Sequence, residues 1–212
     1  MVSLFQVDIV KLLILKIVVF LSDKDGRLDE MRRNIFENKF KIDDDEKTQY
    51  CSMVNKYDRH GYHCRQRMLI ITNKRLYLLE VKKSTLAMKE TLLLNLIKIV
   101  ISNHNDGLFI IKIPIMKKEK VCFVLFSLID SSSFLFFGWK QGDLILEYHP
   151  RLIELLTKFI RFAGQDKLII DNGNMLEHQM SNGKKGQIQF CGGERYEISK
   201  RKDGQLQVLV NL

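Results

Sequence analysis

The chain is poor in the residue patterns that build metal centres, disulfide frameworks and nucleotide cradles. Its four cysteines, Cys51, Cys64, Cys122 and Cys191, stand far apart and form no CxxC pair. The close ligand spacing of a zinc site is therefore missing. His60 and His63 flank a turn beside Cys64, the nearest approach to a metal-ligand group, and the plainer expectation is reduced thiols in an intracellular protein with no metal. No G-x-x-x-x-G-K-[ST] loop occurs, and Gly186, Gly192 and Gly193 are scattered around a strand without a dinucleotide fingerprint. Ser131 to Ser133 lack a G-x-S-x-G elbow, and His149 and His178 beside Glu147 and Glu177 are ordinary in a charged chain. The expectation is a chain that binds, with no cofactor and no catalytic residues.

What is present is enough for one good core: 212 residues, 46% hydrophobic and 28% charged, the balance of a folded domain and unlike a disordered chain. The net charge of +9 favours a polyanionic partner and leaves an acidic lipid surface, a nucleic acid and an acidic filament all open. Met1 to Phe20 is strongly apolar, yet Asp8, Lys11 and Lys16 interrupt it and no basic region precedes it. It suits neither a secretory signal nor a spanning helix of about 20 uncharged residues. Residues 1–22 are expected to be an appendage on a protein that is not secreted.

Leu28, Met31, Ile35 and Phe36 recur near helical spacing, which predicts a helical approach segment within residues 23–52 that ends before the acidic connection Asp43 to Glu46. From Met53 the period shifts toward strands, over Met53 to Tyr57, Arg65 to Thr72, Arg75 to Lys82, Leu93 to Ser102, Leu108 to Ile113 and Leu144 to Glu147. Val121 to Trp139 is an apolar stretch that interrupts this series. Arg151 to Phe162 carries the clearest helical stripe, with Pro150 at its start and Gly164 as a stop. The tail from residue 183 reads as short strands, with Asp203-Gly204 as a hairpin turn. Short strands without repeated helical crossovers predict a mainly β fold, an antiparallel sheet or barrel.

The densest cationic stretch runs from Lys56 to Arg75. A turn at His60-Gly61 brings the basic residues of one strand near the start of the next, and Met68 to Thr72 anchors them to the core. Arg65 and Arg67 stand two apart, so both project from one side of a strand, and an arginine fork suits phosphate oxygens. Arg59, His60, His63, Lys74 and Arg75 are expected to tune the local field, and Tyr62 to place its ring at headgroup level. Lys184, Lys185, Lys200, Arg201 and Lys202 form a second basic patch. Without a partner, the same cations would simply solvate a strand edge.

Lys56-Tyr57-Asp58-Arg59-x-Gly61-Tyr62, Arg65-x-Arg67-x-Leu69-Ile70-Ile71-Thr72, Leu76-Tyr77-Leu78, Asp106-Gly107-Leu108-Phe109, Gly142-Asp143-Leu144-Ile145-Leu146 and Leu152 to Lys158, in that order, resemble the tail homology 1 domain of class I myosins. The resemblance covers about residues 28–212. It implies a pleckstrin-homology-like fold of antiparallel barrel or sheet with a C-terminal helix. The domain is placed at 53–212, with a core at about 53–163, the insertion 121–139 and a β extension at 183–212. It also implies a membrane-binding module that links an actin-based motor to acidic phospholipids, phosphoinositides above all, at the cytoplasmic face of plasma or endosomal membranes. In that family's lipid signature Lys56 matches the lysine, Arg65 the following basic position and Arg67 the final arginine. Actin filaments are an implied further partner, with a protein-interaction scaffold as the alternative role, and no specific nucleic acid is expected. The motor head and neck are not among these residues.

Overall fold

Strands whose residues are apolar on both sides need partners on both sides, and that requirement organises this molecule. The computed structural model describes residues 34–58, 61–82, 85–104, 106–114, 142–148, 151–180 and 183–210. The appendage 1–22 and the insertion 121–139 lie outside them. Twelve strands follow in order: β1 (Thr48–Tyr57), β2 (Cys64–Thr72), β3 (Arg75–Lys82), β4 (Thr85–Leu93), β5 (Lys98–Ser102), β6 (Leu108–Lys112), β7 (Leu144–Glu147), β8 (Leu168–Asp171), β9 (Met175–Gln179), β10 (Lys185–Gly192), β11 (Glu197–Lys200) and β12 (Leu206–Val210). The helix α1 (Leu152–Ala163) separates β7 from β8.

The first eight strands form one sheet in the order β4-β3-β2-β1-β7-β6-β5-β8, and the remaining four a second sheet in the order β11-β12-β10-β9. One face of the large sheet carries Tyr50, Val54, Leu69, Ile71, Leu78, Phe109, Ile111 and Leu146 into a core closed by Leu155, Leu156 and Phe159 of α1. Successive strand residues point to opposite faces, so Tyr57, Leu108, Ile110 and Ile145 enter a second core against Leu176, Ile188, Phe190, Leu206 and Val208 of the small sheet. A third cluster sets Phe36, from the helical residues 34–39, edge-on against Tyr77 at 4.8 Å between ring centres. Burying each large apolar side chain of this kind contributes about 1.5–3 kcal/mol. The result is three layers: small sheet, large sheet, helix.

Asp143 fastens the layers. Its carboxylate accepts from Ile113 N at 3.2 Å, Gln179 N at 2.7 Å and Lys112 Nζ at 2.9 Å, which joins β6 and β7 to β9. The helix ends where Gly164 takes φ +107°, a value that disfavours any side chain, and donates its N–H to Ile160 O at 2.9 Å.

The expected barrel is not closed. Among the described residues β4 and β8 are the two edges of an open sheet. Nor is the pairing wholly antiparallel, since β5 pairs with β8 and β10 with β12 in parallel. Strand β4 had no place in the sequence reading, because Ala87, Met88, Lys89 and Glu90 are good helix formers and a bulge at Leu78/Leu79 breaks the alternation opposite them. Strand β1 starts at Thr48, inside the segment read as helical approach, and the single strand expected from Leu93 to Ser102 is the end of β4, a turn and β5. Edge strands β8 and β9 were missed as well.

Candidate functional site

The large sheet folds over on itself at one end. Lys56 on β1 places Nζ 3.1 Å from Glu90 Oε1 on β4, although β2 and β3 lie between those strands. At about 4.8 Å per strand, a flat sheet would hold them too far apart for the two side chains to meet. The face is therefore cupped, and its apolar floor gives way at the rim to charge.

Register decides which charges share that rim. Lys56 lies directly opposite Arg65, and Arg67 opposite Val54, so the three cations named by the resemblance sit on the face that carries Val54 and Leu69 into the main core. Met68 and Ile70 point the other way, toward Phe36. Arg65 is the open member, 57% exposed, with Asp58 at 3.6 Å. Arg67 is held down, with 11% of its side chain exposed: Nη1 donates to Gln66 O at 2.8 Å and Nη2 lies 3.5 Å from Glu80 Oε1.

Sequence reasoning missed the rest of the rim. Glu80 on β3 also receives Lys89 at 2.8 Å and Lys82 at 3.7 Å on its second oxygen. The Lys89 hydrogen bond is the main reason its carboxyl lies below the ordinary range, with burial opposing. Glu80 and Lys82 alternate on one strand face, a signal readable in the sequence; Lys89 sits in the bulged stretch, where no alternation points to it. Among the described residues, five cations, Lys56, Arg65, Arg67, Lys82 and Lys89, thus face three carboxylates, Asp58, Glu80 and Glu90. The surplus is positive, and geometrically it suits an anion with several oxygens.

Several expected contributors are elsewhere. Arg59 and His60 lie outside the described residues. Lys74 and Arg75 are at the opposite end of β2 and β3, bound to Asp43, Asp45 and Glu46 at 2.6–3.4 Å. Burial pushes the Asp43 carboxyl up, but bonds from Arg75 and Lys74 outweigh it and hold its pKa below the usual value. Tyr62 is not at a surface: it is 7% exposed, in the core between the sheets. Its hydroxyl meets His178 Nε2 at 2.8 Å, and burial keeps His178 below the ordinary histidine value. Gly186 leaves room for this pair, since a Cβ there would lie 2.4 Å from the His178 ring. The Tyr62 ring anchors the β1–β2 loop to the small sheet.

His63 is exposed on that loop. Lys200, of the second basic patch, comes to the same loop: a Cβ on Gly61 would be 3.6 Å from its Nζ and 3.5 Å from His63 Nε2. Arg201 and Lys202 follow Lys200 on the surface, Arg201 3.3 Å from Asp203. Lys184 is exposed, and Lys185, paired with Glu177 at 2.9 Å, opens β10 at the same end of the small sheet as Lys200, which lies opposite Leu206 at the start of β12. The patch thus lies along one end of the small sheet, with Lys200 beside the β1–β2 loop. Among the described residues no group of three His, Cys, Asp or Glu side chains could hold a metal ion.

Residues 23–212 match a family model described as unconventional myosin tail, actin- and lipid-binding. The chain is 35% identical over 159 residues to unconventional myosin IC of Drosophila melanogaster, covering 74% of this chain and 13% of that protein. It is 30% identical over 166 residues to human unconventional myosin-Ih, covering 77% and 14%. The chain spans about one seventh of the length of these relatives. Among solved structures, a Slm1 PH domain in complex with inositol 4-phosphate aligns at 8% identity and a TM-score of 0.38, over 55% of this chain and 97% of that one. The hSac2 domain of human phosphoinositide phosphatase Sac2 aligns at 16% identity and a TM-score of 0.38, over 72% and 92%.

Proposed function

Because this chain belongs to the unconventional class I myosin tail family, we propose that it attaches to acidic phospholipids, phosphoinositides in particular, through the cupped end of its large sheet. The carrying observation is the convergence of Lys56, Arg65 and Arg67 on one face, with Lys82 and Lys89 beside them. Seven strands followed by one amphipathic helix support reading 48–163 as a pleckstrin-homology-like core, with the small sheet as an extension packed on its back. In the full-length protein this module would hold an actin-based motor at the cytoplasmic face of a plasma or endosomal membrane.

Arg65 contributes first contact, being exposed and only loosely paired. Arg67 offers a pre-oriented guanidinium, and Lys56 and Lys89 supply point charges from either side. Each cation near an anionic bilayer is worth on the order of 1 kcal/mol, so attachment is the sum of several and falls with salt. Co-sedimentation with phosphoinositide vesicles tests the reading. Arg65→Ala should bind more weakly with an unchanged thermal melt, and wild-type affinity in that variant would remove Arg65 from the site.

A second reading has its own support. Lys200, Arg201 and Lys202 project from the small sheet beside the cup, and an acidic filament such as actin could meet them. Co-sedimentation of the same protein with actin filaments, with and without replacement of those three by alanine, separates this surface from the lipid site.

A further inference from the structure

Glu80 is an acid at the centre of a site meant for anions. Its two oxygens reach cations from three strands, Arg67 on β2, Lys82 on β3 and Lys89 on β4. Its side chain is 21% exposed, so the carboxylate is not sealed from an arriving ligand. We propose that Glu80 is a specificity-determining residue: it occupies the place between Arg67 and Lys89 that a ligand phosphate would take, so that a phosphomonoester displaces it and a phosphodiester does not. This rests on the lipid-binding reading above and adds which headgroups that site accepts.

The reasoning is a comparison of charges. A phosphodiester, as in phosphatidylserine, brings one negative charge and two free oxygens. Exchanging it for a tethered carboxylate of equal charge returns little Coulomb energy and costs the freedom of the arriving lipid. A phosphomonoester carries about −1.5 to −2 with three acceptor oxygens. It can bond Arg67 and Lys89 together and still outcompete the carboxylate for both. Glu80 is ionised near neutral pH, since its cationic neighbours hold its pKa below the ordinary value, so it opposes weakly charged headgroups under the conditions where binding occurs. Glu90 acts on Lys56 at 3.1 Å in the same sense, but it engages one described cation there where Glu80 engages three.

The test uses the whole chain on two sets of vesicles of equal total charge, one bearing phosphatidylserine and the other a phosphatidylinositol bisphosphate. Wild type should prefer the second. Glu80→Gln should gain about fivefold on phosphatidylserine, the effect of one charge at an anionic surface, and change less on the bisphosphate, so that the preference shrinks. Glu80→Asp, which keeps the charge, should keep the preference. Asp166→Asn makes the same change of net charge on an exposed turn remote from β3, and should shift both vesicle types equally. Excess soluble inositol trisphosphate should release wild type from the bisphosphate vesicles, and failure to do so would mean that no phosphomonoester is gripped. If Glu80→Gln raised both affinities by one factor, or neither, while wild type still preferred the bisphosphate, the role of Glu80 would be refuted and the lipid site would stand. If a correctly melting wild type ignored both vesicles, both would fall.

Discussion

The two ends of strands β2 and β3 are built from the same kinds of side chain and do opposite things. At one end Lys74 and Arg75 meet Asp43, Asp45 and Glu46, two cations against three carboxylates. Glu46 is 2% exposed and also accepts from Thr72 Oγ1 at 2.9 Å and Tyr77 Oη at 2.6 Å. That end is saturated and binds the chain to itself. Among the described residues of the cupped end the cations outnumber the acids, and Arg65 stands in solvent. The lesson is that a basic sequence stretch announces charge, while the local balance of partners decides whether the charge is structural or available.

The largest effect should come from breaking the saturated end. Glu46→Ala leaves Tyr77 without its acceptor, leaves Thr72 only the Arg75 carbonyl at 3.2 Å and deprives the half-buried Arg75 of one of its two carboxylates, which should cost about 3 kcal/mol. The thermal melt should fall with it, while lipid affinity measured below the melt stays near wild type. Gly186→Ala comes next. The added methyl collides with the His178 ring and should cost about 1–3 kcal/mol, and because it loosens the Tyr62 anchor it should also weaken vesicle binding, the one variant here that moves both readouts. Arg65→Ala should leave the melt unchanged and lower affinity for phosphoinositide vesicles about fivefold. Lys74→Ala removes the same charge from the other end and should leave both melt and vesicle affinity near wild type; an Arg65-like loss of binding in Lys74→Ala would erase the distinction between the ends.

A pH series sharpens the same contrast. The folded pKa of His178 lies below its ordinary value of 6.5, so the unfolded chain takes up its proton first. Stability from the neutral, buried ring is complete above that value and is lost as pH falls through the lowered pKa. Between about pH 7.5 and pH 5 the melt should therefore decline, and His178→Gln should flatten that decline. Asp43, at the saturated end, is depressed from 3.8 and would show its loss only in stronger acid.

Much of the architecture was legible because burial leaves a pattern. The run from Met68 to Thr72 and the stripe Leu152, Leu155, Leu156, Phe159 announced a two-faced strand and a one-faced helix. The pair Arg65 and Arg67 announced a shared face for the same reason of alternation. What escaped notice depended on partners distant in sequence. Strand β4 was concealed by its bulge and helix-forming composition, and with it went Lys89 and Glu90. Tyr62 looked like a surface aromatic because its neighbours are turn residues; its partner His178 lies 116 positions away, beyond the reach of any local pattern. The sheet's openness was equally invisible, since hairpins read alike whether or not the last strand returns to the first.

The clasp between Lys56 and Glu90 has one more consequence. It spans two intervening strands, like a drawstring on the curl of the sheet, and under the proposed function an arriving headgroup that takes Lys56 for itself would slacken it. Occupancy at the mouth should then be felt on the far border of the fold, as faster amide hydrogen exchange along Thr85–Leu93 in the lipid-bound protein. A strand that touches no ligand would serve as the gauge of one.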